Sequence, residues 1–383
     1  MDFELMHKDV YVATVSISSV SGAMEDCFDV CSLEHMPLGT VSKGMFLDKD
    51  GLRNWWGQRS IPVSRTGVRN LMYELGIQFP SSLLPKSMGL SLSDHYWIRR
   101  KGSGLSWGDV NFFDNPFTED IGELLFGNTV STGSVSFDSP DSTTEGNVIK
   151  RWRIIDGERV LFKGGGLSLP QEPFNEVAAS MILEALGADH VPYELVWEHG
   201  YPYSVCKNFV NEDSELVTAH HVMRSFTNRT NTSRYLHYVD CCERMGVDAV
   251  PSLDRMIVSD YIIGNVDRHF NNFGILRNPD TLEWMGPAPV YDSGASLGVF
   301  TPEPYLGPNM GVESRGFTDT MEGQLSLVSD FSWIDVDALE DAVERASGFV
   351  CDSIFLSERR KGAVAEFMRS RFERIRILST DSR

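Results

Sequence analysis

The clearest helical pattern lies near the middle of the chain. Apolar residues recur at helical spacing over residues 174–185, with Pro173 near the start and Gly187 after the end. The chain closes on two further patterns of this kind, at residues 336–346 and 364–375. We therefore predict one well-defined helix at residues 174–185 and further helices toward the C-terminus.

Alternating and β-rich segments in the middle of the chain predict strands. Residues 148–154 and 158–163, joined by an Asp-Gly turn at Asp156, are predicted to form a β-hairpin. Two further strands are predicted at residues 191–199 and 203–210 on either side of a glycine turn. Strands in the middle and helices at the end favour an α+β fold, with a small sheet lobe beside a helical lobe.

The N-terminal part is predicted to form a unit of short elements. Its clearest helix has an apolar face from Val68 to Leu75, with Ser64 as the expected N-cap. Aromatic residues are dense between positions 96 and 117, and such groups usually pack a core or the seam between two domains.

Changes in composition suggest three regions. We predict an accessory region at residues 1–125, a β-rich lobe at 126–210 and a helical lobe at 211–383. Residues 127–146 are rich in Ser, Thr, Gly and Asp. They form either a flexible linker or a loop that covers a phosphate.

The net charge of the chain limits the classes of partner that it can bind. There are 34 Lys and Arg residues against 54 Asp and Glu residues, giving a formal net charge of −20. This excess repels polyanions, so we expect no direct binding to nucleic acid. No segment approaches the roughly 18 apolar residues of a membrane helix, and the start lacks a signal-peptide pattern. We expect a cytoplasmic protein without membrane contact.

A loop and a hairpin in the second half carry the residues best suited to chemistry. The loop holds Asp267 and, five residues later, Asn272. Residues 273–276 and 288–291 are predicted as two strands, the second ending at Asp292. The hairpin would present the loop and the second aspartate at the same edge.

Transfer of a phosphoryl group from a nucleotide needs this set of groups. One carboxylate must take the proton of the acceptor hydroxyl, and oxygen ligands must bind the metal that bridges the phosphates. Mg²⁺ prefers hard oxygen ligands and keeps several waters, so one Asn and one Asp suffice. Asp267, Asn272 and Asp292 can fill these roles.

A cation for the phosphates is available upstream. Lys163 ends a predicted strand before three glycines, and Glu176 lies on the predicted helix thirteen residues later. A partly buried glutamate is costly without a partner, so we expect Lys163 and Glu176 to form an ion pair.

These motifs resemble a known family. The D-R-H-x-x-N order at residues 267–272 is similar to that of HipA-like serine/threonine kinases and of phosphoinositide kinases. The surrounding N-x-D-R-H-x-x-N-F-G and P-V-Y-D resemble the HipA-like group more closely. The likeness runs from about Ser139 to the C-terminus and implies a bilobal protein kinase-like fold that uses ATP and Mg²⁺.

The resemblance also implies roles for individual residues. Asp267 would be the catalytic base, Asn272 and Asp292 the Mg²⁺ ligands, and Lys163 the phosphate-binding lysine. The hinge that meets the adenine would be formed by Cys206, Lys207, Asn208 and Phe209. Residues 139–146 would form the loop that covers the phosphates, and the autophosphorylation candidates on it are Ser142, Thr143 and Thr144.

Two questions stay open from the sequence. His269 lies two residues after Asp267 and could take the proton in its place. The substrate could be a protein Ser or Thr hydroxyl, as in a HipA-like toxin or regulator with an antitoxin partner. It could also be a lipid headgroup or small molecule, and a non-catalytic nucleotide-binding module is a third alternative.

Overall fold

The structure is a computed structural model that describes residues 1–42, 46–128, 135–144, 146–228 and 232–381. Parts of the stretch predicted as a linker or loop, residues 129–134 and 145, lie outside the described residues. No helix of the described ranges is both long enough and apolar enough to span a bilayer.

The N-terminal region is built on an antiparallel sheet. Its strands are β1 (Asp2–His7), β2 (Val10–Ile17), β3 (Met24–Phe28), β4 (Val41–Ser42), β5 (Phe46–Leu47) and β6 (Tyr96–Arg100). The main sheet has the order β3-β2-β1-β6, and β4 pairs with β5. The helices are α1 (Lys49–Gln58), α2 (Val68–Glu74), α3 (Trp107–Val110) and α4 (Asp120–Leu125).

A second antiparallel sheet follows, with one long helix against it. Its elements are β7 (Lys150–Ile155), β8 (Glu158–Lys163), α5 (Glu172–Ala185), β9 (Glu194–Glu198) and β10 (Tyr201–Lys207). The sheet order is β7-β8-β10-β9. The predicted hairpin and the predicted helix are both confirmed.

The last part of the chain is mainly helical around a small sheet. Its elements are β11 (Glu215–Thr218), α6 (Ala219–Arg224), α7 (Arg234–Arg244), α8 (Val250–Ile263), β12 (Gly274–Arg277), β13 (Trp284–Pro287), α9 (Met321–Leu325), α10 (Val336–Cys351) and α11 (Glu358–Asp381). The largest apolar cluster joins α5 to this lobe, with Phe174 and Ile182 packed among residues of α8, α10 and α11. The predicted α+β arrangement of a sheet lobe beside a helical lobe is confirmed.

The predicted cap of α2 is wrong. The residue before the helix is Gly67, which has φ of 89° and makes no side-chain cap. A Cβ at this position would lie 2.0 Å from the carbonyl oxygen of Leu125, so only glycine fits. The Ser64 hydroxyl instead donates to the side chain of Asn147.

The predicted second strand of the catalytic hairpin is also misplaced. β12 pairs with β13, which ends at Pro287, so residues 288–291 lie outside the hairpin. Val290 forms a parallel bridge with His190 of the sheet lobe instead. The N–H of Val191 donates to the carbonyl of Val290 at 2.9 Å, so Val191 pairs with this segment, and β9 begins only at Glu194.

The predicted strand at residues 203–210 is shifted toward the N-terminus. β10 covers Tyr201–Lys207. The side chain of Asn208 accepts the backbone N–H of Val210 at 3.3 Å, which turns the chain out of the sheet.

Most aromatic residues between positions 97 and 117 lie at a seam, one of the two placements expected from the sequence, whereas Tyr96 packs in the core of the N-terminal region. Trp97, Trp107 and Phe112 form one buried cluster with Trp152 of β7 and Val210. The N-terminal region is therefore packed against the sheet lobe and the segment that follows β10.

Polar groups cross the same seam to the helical lobe. The buried Glu215 of β11 accepts a hydrogen bond from Arg277 Nε at 2.7 Å, and its other oxygen lies 3.1 Å from Nε2 of His7. Burial would raise the pKa of Glu215, but His7 and Arg277 outweigh it and hold this pKa well below its usual range. The N-terminal region thus contacts both lobes.

Candidate active site

A buried ion-pair cluster joins the two lobes. Lys163 is the last residue of β8, and Glu176 lies on α5 with only 1% of its surface exposed. The Lys163 ammonium donates to Oε1 of Glu176 and, at 2.6 Å, to Oδ1 of Asp292. Oε2 of Glu176 accepts the backbone N–H of Ser293 at 2.8 Å. The structure therefore brings together the predicted lysine, its glutamate and the second aspartate.

The charges of this cluster stabilise one another. Burial alone would lower the pKa of Lys163, but Asp292 and Glu176 outweigh it and raise this pKa well above its usual value. Burial would raise the pKa of Asp292, but Lys163 and then Lys150 outweigh it and hold it below the usual range. Both groups are charged at neutral pH, as binding of a phosphate and a metal requires.

The backbone at Asp292 is unusual. Its φ is 57°, in the left-handed region that few residues other than glycine adopt. Its N–H donates to the hydroxyl of Tyr193 at 3.4 Å, and 32% of its side chain stays exposed. Strained backbone of this kind is concentrated at functional sites. The carboxylate reaches Lys163 and remains accessible.

Arg268 ties the predicted catalytic loop to the segment before the second aspartate. Its guanidinium is 2% exposed and donates to both carboxylate oxygens of Asp260, at 2.8 and 3.0 Å. Its Nη1 also donates to the backbone carbonyls of Asn272, at 2.8 Å, and of Tyr291. One arginine therefore holds the end of α8, the loop and the Asp292 segment together.

The loop itself is ordered by side-chain to backbone bonds. Asn265 Oδ1 accepts the N–H of Asp267 at 3.0 Å, and Asn272 Nδ2 donates to the carbonyl of Asp267 at 2.9 Å. Because the amide nitrogen of Asn272 is committed, its Oδ1 is the atom that could ligate a metal. The Asp267 carboxylate accepts from Nη1 of the exposed Arg315 at 2.8 Å.

His269 lies beside Asp267 without a short contact between the side chains. Its Nε2 is 3.9 Å from Oδ2 of Asp267. Its Nδ1 accepts the backbone N–H of Asn271 at 3.3 Å, so a neutral ring carries its proton on Nε2.

A second lysine faces the cluster. Lys150 of β7 stands directly opposite Lys163, and opposed residues of an antiparallel pair share one face of the sheet. A Cβ at Gly146 would lie 2.5 Å from Lys150 Nζ, so this glycine leaves room for the ammonium. Arg151, the next residue, forms ion pairs with two glutamates.

The predicted hinge residues lie at the end of β10 and just after it: Cys206, Lys207, Asn208 and Phe209. Cys206 is buried, and burial raises the pKa of its thiol to about 12. Phe209 stacks on Tyr291, the neighbour of Asp292, with ring centroids 5.3 Å apart. The Asn208 amide donates to a carbonyl of the N-terminal region at 3.0 Å. The side chain of Lys207 is 70% exposed, away from the cluster.

The three candidate phosphorylation sites lie on a short 3-10 turn, Pro140–Thr143, and just after it. Ser142 is fully buried. The Thr143 hydroxyl donates to the carbonyl of Leu90 at 2.6 Å, and the Thr144 hydroxyl accepts from Nε1 of Trp152 at 3.1 Å. These partners belong to the N-terminal region and β7, so the structure fixes the Thr143 and Thr144 hydroxyls against those elements, whereas the Ser142 hydroxyl has no hydrogen-bond partner among the described residues.

Two charged residues with a place in this site were given no role from the sequence: Arg268 and Arg315. Lys150 was an alternative to Lys163 for binding the phosphates, and its place in the hairpin supports it, because residues at equal distance from the turn face the same side. The bond of Arg268 to Tyr291 and that of Arg315 to Asp267 join residues 23 and 48 positions apart, which no local pattern reveals.

Comparisons with known proteins agree with this geometry. Residues 147–354 match the family model described as HipA-like C-terminal domain. No curated protein matches the chain.

Two solved structures illustrate the likeness. A chain from the Shewanella oneidensis MR-1 toxin–antitoxin complex of HipA, HipB and operator DNA has 13% identity and a TM-score of 0.54, over 99% of both chains. The Helicobacter pylori proinflammatory kinase CtkA has 18% identity and a TM-score of 0.46, over 62% of this chain and 92% of CtkA.

The family match covers more than half of the sequence, including both aspartates and the Lys163–Glu176 pair. The bilobal protein kinase-like fold expected from the motifs is therefore confirmed. The chain belongs to the family of the HipA-like C-terminal domain.

Proposed function

We propose that the protein is an ATP-dependent serine/threonine kinase that transfers the γ-phosphate of ATP to a protein hydroxyl, including hydroxyls of its own chain. The observation that carries this proposal is the convergence of Lys163 and Asp292 at 2.6 Å beside a loop that Arg268 holds in place. Phosphoryl transfer depends mainly on positioned charge, and this cluster supplies it. Membership of the family and the kinase-like fold support the proposal.

The lysines would bind and orient the nucleotide. Lys163 binds phosphate oxygens, and Glu176 fixes the position of the ammonium from the other side. Lys150 adds a second cation on the same face of the sheet. Phe209 and Cys206 supply apolar surface near the end of β10, where the adenine would lie.

The donor set fits Mg²⁺. Asp292 stays ionised beside Lys163, and Asn272 has one amide oxygen left for a ligand, so both offer the hard oxygen atoms that this ion prefers. Within the described ranges no group of three or more His, Cys, Asp or Glu side chains could hold an ion alone. The remaining ligands would be nucleotide oxygens and water. When bound, Mg²⁺ would neutralise negative charge on the phosphates.

Asp267 is the better candidate for the base. A neutral His269 carries its proton on Nε2, while its Nδ1 is engaged by a backbone N–H. The Asp267 carboxylate is one-third exposed and can meet an incoming hydroxyl once Arg315 moves aside. Asp267 would orient that hydroxyl and accept its proton.

We further propose a protein partner that regulates the enzyme, as an antitoxin does. The Shewanella HipA is found in one complex with HipB and operator DNA. The net charge of −20 disfavours direct contact of this chain with nucleic acid, so a partner of this kind would provide any link to DNA.

The test is incubation of the purified protein with γ-labelled ATP and Mg²⁺, with Asp267→Asn as the control. Label on Ser or Thr of the wild-type chain or of an added protein, absent in the control, supports the proposal. Label on a lipid or small molecule alone would favour the alternative kinase. Tight nucleotide binding without turnover would indicate a non-catalytic module.

A further inference from the structure

The N-terminal region grips the chain just before β7 through one buried arginine. Arg65 is 2% exposed, its Nε donates to the carbonyl of Gly146 at 2.8 Å, and its Nη2 donates to the carbonyl of Thr144. The neighbouring Ser64 hydroxyl donates to Oδ1 of Asn147 at 2.6 Å. Ser64 and Arg65 therefore bind a segment about eighty positions away, Ser64 through a side chain and Arg65 through two backbone carbonyls.

The segment that Arg65 holds buries polar atoms without hydrogen-bond partners within the described ranges, which is energetically unfavourable. Ser142 is fully buried, and its hydroxyl has no hydrogen-bond partner in the described part of the chain. The same holds for Oδ2 of the buried Asp141, whose Oδ1 accepts the backbone N–H of Trp152 at 2.9 Å. Unpaired buried polar atoms disfavour the closed state, so other contacts must offset them. The two charge-assisted bonds from Arg65 are of the strong kind.

The contacts of Arg65 are also connected to the candidate active site. Gly146, whose carbonyl Arg65 binds, lies against the ammonium of Lys150. The positive charge of Lys150 in turn helps to lower the pKa of Asp292. A movement of Gly146 would therefore change the position of one cation of the cluster.

We propose that Arg65 is a latch by which the N-terminal region keeps residues 139–144 and 146–147 closed against β7. Release of the latch exposes the hydroxyl of Ser142 and frees Lys150. The role of this segment as a cover for the phosphates rests on the proposed function, whereas the latch itself does not.

The latch is tested by hydrogen exchange followed by mass spectrometry on the full chain. Arg65→Ala removes both bonds, and Arg69→Ala removes an exposed arginine of the adjacent α2 as a matched control. We expect exchange in peptides covering residues 139–147 to rise at least about tenfold in Arg65→Ala and to stay unchanged in Arg69→Ala. Exchange in α5 and α10 should stay at the wild-type rate in both variants.

Unchanged exchange of residues 139–147 in a folded Arg65→Ala protein would overturn the latch. Arg65→Lys keeps the charge and can serve only one carbonyl, so it should show an intermediate rate. This milder variant also decides the matter if Arg65→Ala does not fold.

A second measurement separates the latch from the proposed function. With labelled ATP, Arg65→Ala should incorporate phosphate at residues 142–144 faster than the wild type, because the hydroxyls are exposed. Faster exchange without faster phosphorylation would overturn the claim that release exposes these hydroxyls to the enzyme. If no variant transfers phosphate, the kinase proposal fails and the exchange rates still decide the latch.

Discussion

The candidate active site has a closed half and an open half. In the closed half, the side chains of Lys163 and Glu176 are 4% and 2% exposed and are joined to Asp292. In the open half, Asp267, His269 and Arg315 are 32%, 39% and 70% exposed. The closed half is part of the packing between the lobes, whereas the side chains of the open half are accessible to solvent. Substitutions in the closed half should therefore change stability and activity together, and those in the open half activity alone.

The largest effect is expected from Asp267→Asn. The amide keeps the size of the side chain and loses only the proton acceptor, so the transfer rate should fall by about 10² to 10⁴. The free energy of unfolding should change by less than about 0.5 kcal/mol, as for other accessible sites. Rates with labelled ATP and denaturant titrations measure the two quantities. His269→Gln should retain most of the activity, and a larger loss in that variant than in Asp267→Asn would reverse the assignment of the base.

In the closed half, Lys163→Ala should affect folding as well as chemistry. It leaves two carboxylates without their shared cation, which should lower the free energy of unfolding by about 3–5 kcal/mol. The double variant Lys163→Ala/Glu176→Gln removes one of the stranded charges and should recover part of this loss. Urea titration of the three proteins gives the comparison. Full stability of Lys163→Ala would show that the cluster is not closed in solution.

A third prediction contrasts two carboxylates, the partly exposed Asp292 and the fully buried Asp141. Asp292 has lysines beside it, whereas burial raises the pKa of Asp141 to about 7 despite Trp152, Arg65 and Arg151, with Glu119 adding to the rise. The closed state of residues 139–144 binds a proton that an open state does not hold, so its stability falls as pH rises from about 4 to about 7. Between pH 6 and pH 8 the opening equilibrium should increase about tenfold.

Hydrogen exchange at both pH values, corrected for the intrinsic rate, measures that change. Asp141→Asn cannot ionise and should show the same opening equilibrium at pH 6 and pH 8. A wild-type protein without this pH dependence would mean that Asp141 is not enclosed.

The smallest effect is expected from Arg315→Ala. Exposed ion pairs contribute about 0.2–1 kcal/mol, so the free energy of unfolding should hardly change. Because Arg315 occupies one oxygen of Asp267, its removal should lower the KM for a protein acceptor by about threefold, as expected from an exposed ion pair. Arg234→Ala removes another exposed arginine and serves as the control. A loss of stability in Arg315→Ala would place this residue in the closed half.

The sequence was most informative where the chemistry is local. The spacing of Asp267 and Asn272, and the strand and helix that carry Lys163 and Glu176, were readable because short periodic patterns and one motif contain them. The exact ends of single strands and helices were harder to predict. β13 ends before residue 288, where Val290 pairs with a distant segment, and the residue before α2 must be a glycine because a side chain there would meet the carbonyl of Leu125.

What the sequence did not reveal depends on contacts between remote residues. Arg268 is defined by its bonds to Asp260 and Tyr291, and Arg65 by its bonds to residues about eighty positions away. The Arg268 contacts form when α8, the loop and the segment before Asp292 pack within one lobe, and the Arg65 contacts form only when the N-terminal region packs against the chain before β7. Local propensity does not encode such contacts, so the sequence suggested a seam for the aromatic residues of the N-terminal region but no role for Arg65.

The proposed kinase requires Lys163, Asn272 and Asp292 to bind one nucleotide–metal complex. The most direct test is electron paramagnetic resonance of Mn²⁺, used in place of Mg²⁺, with a non-hydrolysable ATP analogue and either wild-type or Asp292→Asn protein. We expect the wild type to bind Mn²⁺ only with the nucleotide present, and Asp292→Asn to bind it at least about tenfold more weakly, because even the loss of a partner that only orients a ligand costs about 10- to 100-fold. Equal Mn²⁺ affinity in the two proteins, with nucleotide bound to both, would contradict the account.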